Sequence, residues 1–231
     1  MDLIDVTLQR SASRQLKLLV SSDGAKGGGP LQDYVEGLNE MSEVQSPLPT
    51  VWTIGHSTRS GADLIHILKA HQINTLVDVR SFPGSRRYPQ FNSSALSESL
   101  AGEGITYHHL PTLGGRRRPS PDSKNTAWRN PSFRAYADHM ETVEFKQGIE
   151  RLRELARQSK TAVMCAEALW WRCHRSLIAD YLKALGANVI HLSDEKHAEI
   201  HPYTSAARII QGRLSYEGLF SEEQGDALAL K

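Results

Sequence analysis

Between Met164 and Ser176 the chain reads MCAEALWWRCHRS, which gathers two thiols, one carboxylate, an imidazole and two guanidinium groups into a single short stretch. Glu167 is its only carboxylate, and an acid set beside anion-binding groups can serve as general acid, general base or nucleophile. Arg172, His174 and Arg175 are the candidates for holding phosphate. A blander alternative puts Cys165 in the core, pairs Glu167 with Arg172 and lays Trp170 and Trp171 over a helix. The thiols allow a third chemistry, because a helix start and neighbouring arginines favour a thiolate at Cys173. Zinc is a further possibility, using Cys165, Cys173, His174 and one of His108 or His109. However, the Cys-x7-Cys-His spacing lacks the usual short CxxC, and adjacent Cys and His residues at a helix start do not easily point at one ion. Neither metal nor cofactor is therefore expected.

The elements around this stretch decide whether its groups can meet. Thr161 to Cys165 is an apolar run of strand type, and Ser176 to Leu185 is apolar at helical spacing and stopped by Gly186. A strand, a loop and a helix start form the place where open α/β sheets bind ligands, with free helix amides favouring an anion. Thr50 to Ile54 and Thr75 to Val79 are two more buried strands, and they run into Gly55-His56-Ser57-Thr58 and Arg80-Ser81. If the strands are parallel, His56, Ser57, Asp78, Arg80 and Glu167 open onto the same sheet edge. His56 and Asp78 join Glu167 as catalytic candidates. Their bland readings are a hydrogen-bonding histidine in the turn and an acid paired with Arg80.

Ile105 to Leu110 and Asn188 to Leu192 complete about five strands, separated by helices starting near Ser60, Ser93 and Phe133 and after Cys173. Alternating strands and helices predict an α/β fold: a mostly parallel open sheet with helices on both faces. Pro47-Leu-Pro49 marks the start of the folded part. The expected division is a flexible extension over 1–48, with a possible helix at Leu31 to Met41, an α/β domain over 49–204 and a loosely held acidic tail over 205–231.

A second feature is basic. From Arg80 to Tyr136 there are nine Lys or Arg against three acids, although the whole chain carries only +1. Arg86, Arg116 and Arg117 are added to the phosphate-binding candidates, and Tyr88, Trp128, Trp170 and Trp171 are candidate platforms for stacking bases. The Gly114-Gly115 pair leaves backbone free to approach a ligand. The competing reading is a solvated basic face whose aromatics turn to the core. The chain has two cysteines, no apolar run near 20 residues and no signal-peptide pattern. A soluble cytoplasmic protein with free thiols is expected, with no membrane partner.

Gly55-His-Ser-Thr58, Asp78-Val-Arg80 with Pro83 and Ser85-Arg86, Leu113-Gly-Gly-Arg-Arg117, Phe133-Arg-x-Tyr-Ala-Asp138, and Cys165-x-Glu167 with Cys173-His-Arg175 occur in that order. Over about Val51 to Ser193 the chain resembles the bacterial and archaeal family named domain of unknown function 488. The resemblance implies a compact α/β domain and one site lined by these motifs. The usual pattern has a shorter loop after Cys-x-Glu, whereas here Ala168-Leu-Trp-Trp-Arg172 adds two tryptophans. The expected function is an enzyme acting on nucleic acid or nucleotides, hydrolysing a base or its glycosidic bond in the manner of a DNA glycosylase. A non-catalytic nucleic-acid-binding module and a thiol-dependent enzyme using Cys165 or Cys173 stand as alternatives.

Overall fold

The computed structural model describes residues 49–218. The expected extension over 1–48, its possible helix and the last part of the expected tail lie outside them.

The central strands are β1 (Val51–Gly55), β2 (Thr75–Asp78) and β4 (Thr161–Cys165), with β2 and β4 buried throughout. Continuous burial is the signature of parallel strands covered on both faces. With β3 (Thr106–His109), β5 (Val189–Leu192) and β6 (Ala198–Ile200) they form one sheet in the order β3-β2-β4-β1-β5-β6. Every pairing is parallel except that of β6 with β5.

Five helices connect the strands: α1 (Gly61–Ala70), α2 (Ser93–Ala101), α3 (Pro131–Met140), α4 (Val143–Gln158) and α5 (Arg175–Ala184). Ser60 and Asp63 close a reciprocal capping box on α1, and Thr142 caps α4 through the Phe145 amide. Leu64, Ile67 and Leu68 of α1 and Leu96 and Leu100 of α2 share a core with Ile54, Leu76 and Met164. On the opposite face Tyr136 of α3, Ile149 and Leu152 of α4 and Leu177 and Ile178 of α5 pack on Val51, Val77 and Val163. Alternate residues of each strand thus serve opposite cores.

This wiring creates the crevice. The chain leaves β1 and β2 toward one face through α1 and α2, and leaves β4, which lies between them, toward the other face through α5. Loops that part in opposite directions cannot cover the strand ends between them, so a cleft opens at the carboxyl end of β4.

The expected tail boundary at residue 205 is corrected. Strands β7 (Arg208–Ile210) and β8 (Arg213–Ser215) form a hairpin, and Tyr216 behind it is buried. Asp180 of α5 accepts hydrogen bonds from the Thr204 amide (2.9 Å) and the Tyr216 hydroxyl (2.8 Å) and pairs with His201 (3.0 Å), fixing the segment to the domain. No helix among the described residues is long and apolar enough to cross a membrane.

Candidate functional site

The registers level the strand ends, with Gly55 opposite Cys165 and Asp78 opposite Met164. Beyond the sheet the pairing continues, because the His56 amide donates to Cys165 (3.0 Å) and the Ser57 amide to Ala166 (2.8 Å). Ser57 adopts a positive φ of 49°, turning the chain away toward α1. A Cβ on Gly55 would collide with the Glu167 carbonyl, so glycine is what lets the two loops lie side by side.

Asp78 and Arg80 form a closed unit behind the cleft. Asp78 is fully buried and accepts from Arg80 Nε (2.9 Å), Arg80 Nη2 (2.5 Å), the Arg80 amide (3.0 Å) and the Tyr107 hydroxyl (2.8 Å). Burial beside Asp78 raises the Tyr107 pKa, which keeps that hydroxyl a donor. Arg80 also donates to the Phe91 carbonyl (2.7 Å) and lies 3.3 Å from His56 Nε2. His56 is stacked on Phe91, and burial, with the Arg80 charge, lowers its pKa to about 4. Asp78, His56 and Ser57, expected in catalysis and phosphate binding, are not among the residues that line the cleft. Arg80 does reach the cleft wall, with its guanidinium already engaged.

The cleft is an open cavity of about 430 Å³. That lies within the usual size of small-molecule sites. Its lining brings together Cys165, Glu167, Arg172, Cys173 and His174 from the central stretch, Arg80, Ser81 and Phe82 after β2, and Gly115 and Arg116 from the glycine loop. Glu167 is the only carboxylate among the lining residues. Its carboxylate is exposed and makes no hydrogen bond or ion pair among the described residues, so the expected alternative pairing with Arg172 is not formed. Arg116 spreads over the ring of Phe82, 5.7 Å from its centroid, and Phe82 is 70% exposed.

Several expected binding residues sit elsewhere. Arg117 is a clamp for its own loop, donating to the Gly114 (3.0 Å) and Thr112 (3.1 Å) carbonyls and pairing with Glu144. Arg86 is exposed but does not line the cleft, and Tyr88 packs against the α1–α2 core beneath Arg87. Trp128 packs on Phe133 and Tyr216 and is not among the residues that line the cleft. Trp170 lies flat on His191 (4.3 Å between centroids), Trp171 meets its edge, and both line a different cavity with Arg175. The aromatic groups of the cleft are instead Phe82 and Phe133, joined by Asn130 and Ser132 at the start of α3. Phe133 opens one of the motifs that the family resemblance implies line the site, and Phe82 lies among the aromatics of the basic stretch, whereas sequence reasoning did not single out Asn130 or Ser132.

The floor holds the thiols. Cys165 and Cys173 are buried with their sulfurs in contact, which corrects the expectation of separate free thiols. His174 Nδ1 stands 3.6 Å from the Cys173 sulfur. The adjacent pair therefore does converge, contrary to the steric objection drawn from the helix start. A Cβ on Gly115 would run into the His174 ring, and one on Gly114 into Ser81 and the Pro111 carbonyl, so the glycine pair serves close packing of this loop. Burial, with Arg175 nearby, lowers the His174 pKa to about 4.

Arg175 lies beneath the floor at 1% exposure, donating to the Ala168 carbonyl (2.7 Å), with Nη1 3.8 Å from the Cys165 sulfur and Nε without a partner. Burial, with Arg59 nearby, lowers its pKa to about 10 while Glu167 opposes the shift. It is a buried cation beside a thiol, not an exposed phosphate clamp.

Comparison with curated proteins and with solved structures found no match. Residues 61–182, more than half of the chain and most of the cleft-forming segments, match the family described as Domain of unknown function DUF488, and the chain belongs to that family.

Proposed function

We propose that the cleft is the active site of an enzyme that binds nucleic acid or a nucleotide and hydrolyses a base or its glycosidic bond. The observation carrying this reading is Glu167, the one carboxylate of a cavity otherwise lined by arginine, amide, hydroxyl, phenyl, imidazole and cysteine groups, with no hydrogen-bond or ion-pair partner among the described residues. In base release, water adds to the anomeric carbon while the carbon–nitrogen bond breaks and its electron pair leaves with the base. Glu167 takes a proton from that water or faces the positive charge that develops on the sugar. Arg116 and Arg172 supply the charge for phosphate, and Phe82 and Phe133 supply flat faces for a base.

The test is a panel of labelled single- and double-stranded oligonucleotides carrying damaged or modified bases, read for binding and for strand breakage after alkali. Wild type is expected to release one base class, Glu167→Gln to bind without releasing it, and Arg116→Ala to bind weakly. Tight, salt-sensitive binding with no product from any substrate would instead identify a binding module. Neither binding nor product would overturn the proposal.

A further inference from the structure

The floor of the cleft contains the one group of three or more potential metal ligands found among the described residues: Cys165, Cys173 and His174, with ligand atoms within 4.8 Å of one another. The first cysteine ends β4, and the second, with the histidine, immediately precedes α5, so two rigid elements present the donors.

We propose that Cys165, Cys173 and His174 bind a borderline-soft divalent cation, zinc by the chemistry of the donors, with its fourth position open to the cleft. Two cysteines and one histidine with an open position form a recognised catalytic zinc set, and thiolate with imidazole selects zinc over the oxygen-seeking cations. The backbone favours this over a simple cross-link. The Cα atoms of Cys165 and Cys173 are 7.7 Å apart, beyond the roughly 4.4–6.8 Å that disulfides usually span. An ion held by two bonds of about 2.3 Å spaces the sulfurs further apart than a covalent link does, and so suits a wider backbone.

The surroundings supply what such a site needs. Arg175 is a buried guanidinium that donates to the Ala168 carbonyl and to no carboxylate among the described residues, and its Nη1 lies 3.8 Å from the Cys165 sulfur. A buried cation in that position stabilises a thiolate. Two thiolates neutralise the charge of the divalent ion. His174 is held in place by Gly115, where any side chain would strike its ring. Glu167 sits in the same lining without being a ligand, the arrangement found where zinc activates a water beside a glutamate.

The site is proposed on its donors and does not depend on the hydrolytic reading. A protein that binds the ion but releases no base keeps the site and loses that reading, while one that releases a base without the ion does the reverse.

The full chain, reduced anaerobically and stripped with a chelator, is titrated with cobalt(II) and then with zinc. Expected are one cobalt per chain, a thiolate-to-cobalt charge-transfer band with tetrahedral visible bands, and displacement by zinc. Cys165→Ser and Cys173→Ser should abolish the charge-transfer band or weaken affinity at least tenfold, and His174→Ala should weaken it at least tenfold. Glu167→Gln should leave stoichiometry and band unchanged. Should a cysteine variant fail to fold, alkylation of the reduced wild type decides: zinc should protect both thiols. Absence of the band with both thiols free, its survival in the double cysteine variant, or equal alkylation with and without zinc would overturn the proposal.

Discussion

Asp78 ends β2 and Glu167 lies two residues beyond the neighbouring β4, the first with both oxygens hydrogen-bonded and the second with no partner among the described residues. Asp78→Asn should therefore destabilise the fold by about 3 kcal/mol, because it leaves the buried Arg80 charge without its counter-ion. Glu167→Gln should change stability by less than about 0.5 kcal/mol, as an exposed position without partners does. Denaturant unfolding of both variants checks the contrast, and equal destabilisation would remove the distinction between a positioning acid and a reacting one. His56 makes a second prediction. Its pKa is about 4 in the fold, against an ordinary value near 6.5 once unfolded. The unfolded chain then binds the extra proton, so this contribution is complete above about pH 6.5 and is lost as pH falls toward 4. The shift corresponds to at most about 3 kcal/mol. Melting temperature should drop between pH 6.5 and 5, before most carboxylates titrate, and His56→Asn should flatten that slope. A slope unchanged in the variant would sink the assignment.

At the scale of elements, the mostly parallel sheet and the strand, loop and helix around β4 were legible from apolar runs such as Thr161 to Cys165, whereas the order that sets β4 between β2 and β1 rests on long-range pairing that no such run announces. Strand-end reasoning brought Arg80, Glu167 and the residues of the turn from Cys165 to His174 to one edge, while Arg116 was expected there only from the family resemblance. What stayed hidden depends on contacts across the chain. Asn130 caps α3, and only the packing of that helix beside the sheet edge brings it to the cleft. Trp128, Trp170 and Trp171 looked like stacking platforms because composition cannot tell which face an aromatic presents. The hairpin β7–β8 escaped notice because its strands are three residues each and mostly exposed, so no periodicity marks them. Its tether is polar and long-range, running through Asp180 to His201, Thr204 and Tyr216. Asp180→Ala should leave those groups unpaired, lower stability by about 2 kcal/mol or more, and increase proteolytic cutting within 205–216. Cutting at the wild-type rate would show that apolar packing alone holds the segment.

For the whole molecule, charge placement matters more than charge. The chain carries a net +1, so its overall field gives little long-range attraction to a polyanion, and any affinity must arise where cations cluster. Arg116 and Arg172 line the cleft, while Arg86, Arg87, Arg118, Lys124 and Arg129 are exposed on the loops following β2 and β3. Arg117, in the same basic run, is held by three backbone carbonyls and by Glu144. If the loops form a phosphate-binding groove, the logarithm of the binding constant should fall linearly with the logarithm of salt concentration, by about 0.7 to 0.9 per phosphate neutralised. Arg116→Ala should then reduce that slope by about 1 for any sequence offered. Arg117→Ala should loosen its loop and lower the melting temperature while leaving the slope nearly unchanged, because its charge is engaged within the protein. Fluorescence anisotropy of a labelled oligonucleotide between 50 and 200 mM salt separates the two. Equal loss of slope in both variants would mean that the basic run acts as a diffuse solvated face. A loss confined to Arg116 would place the phosphate beside Phe82, at the mouth of the cavity that holds Glu167.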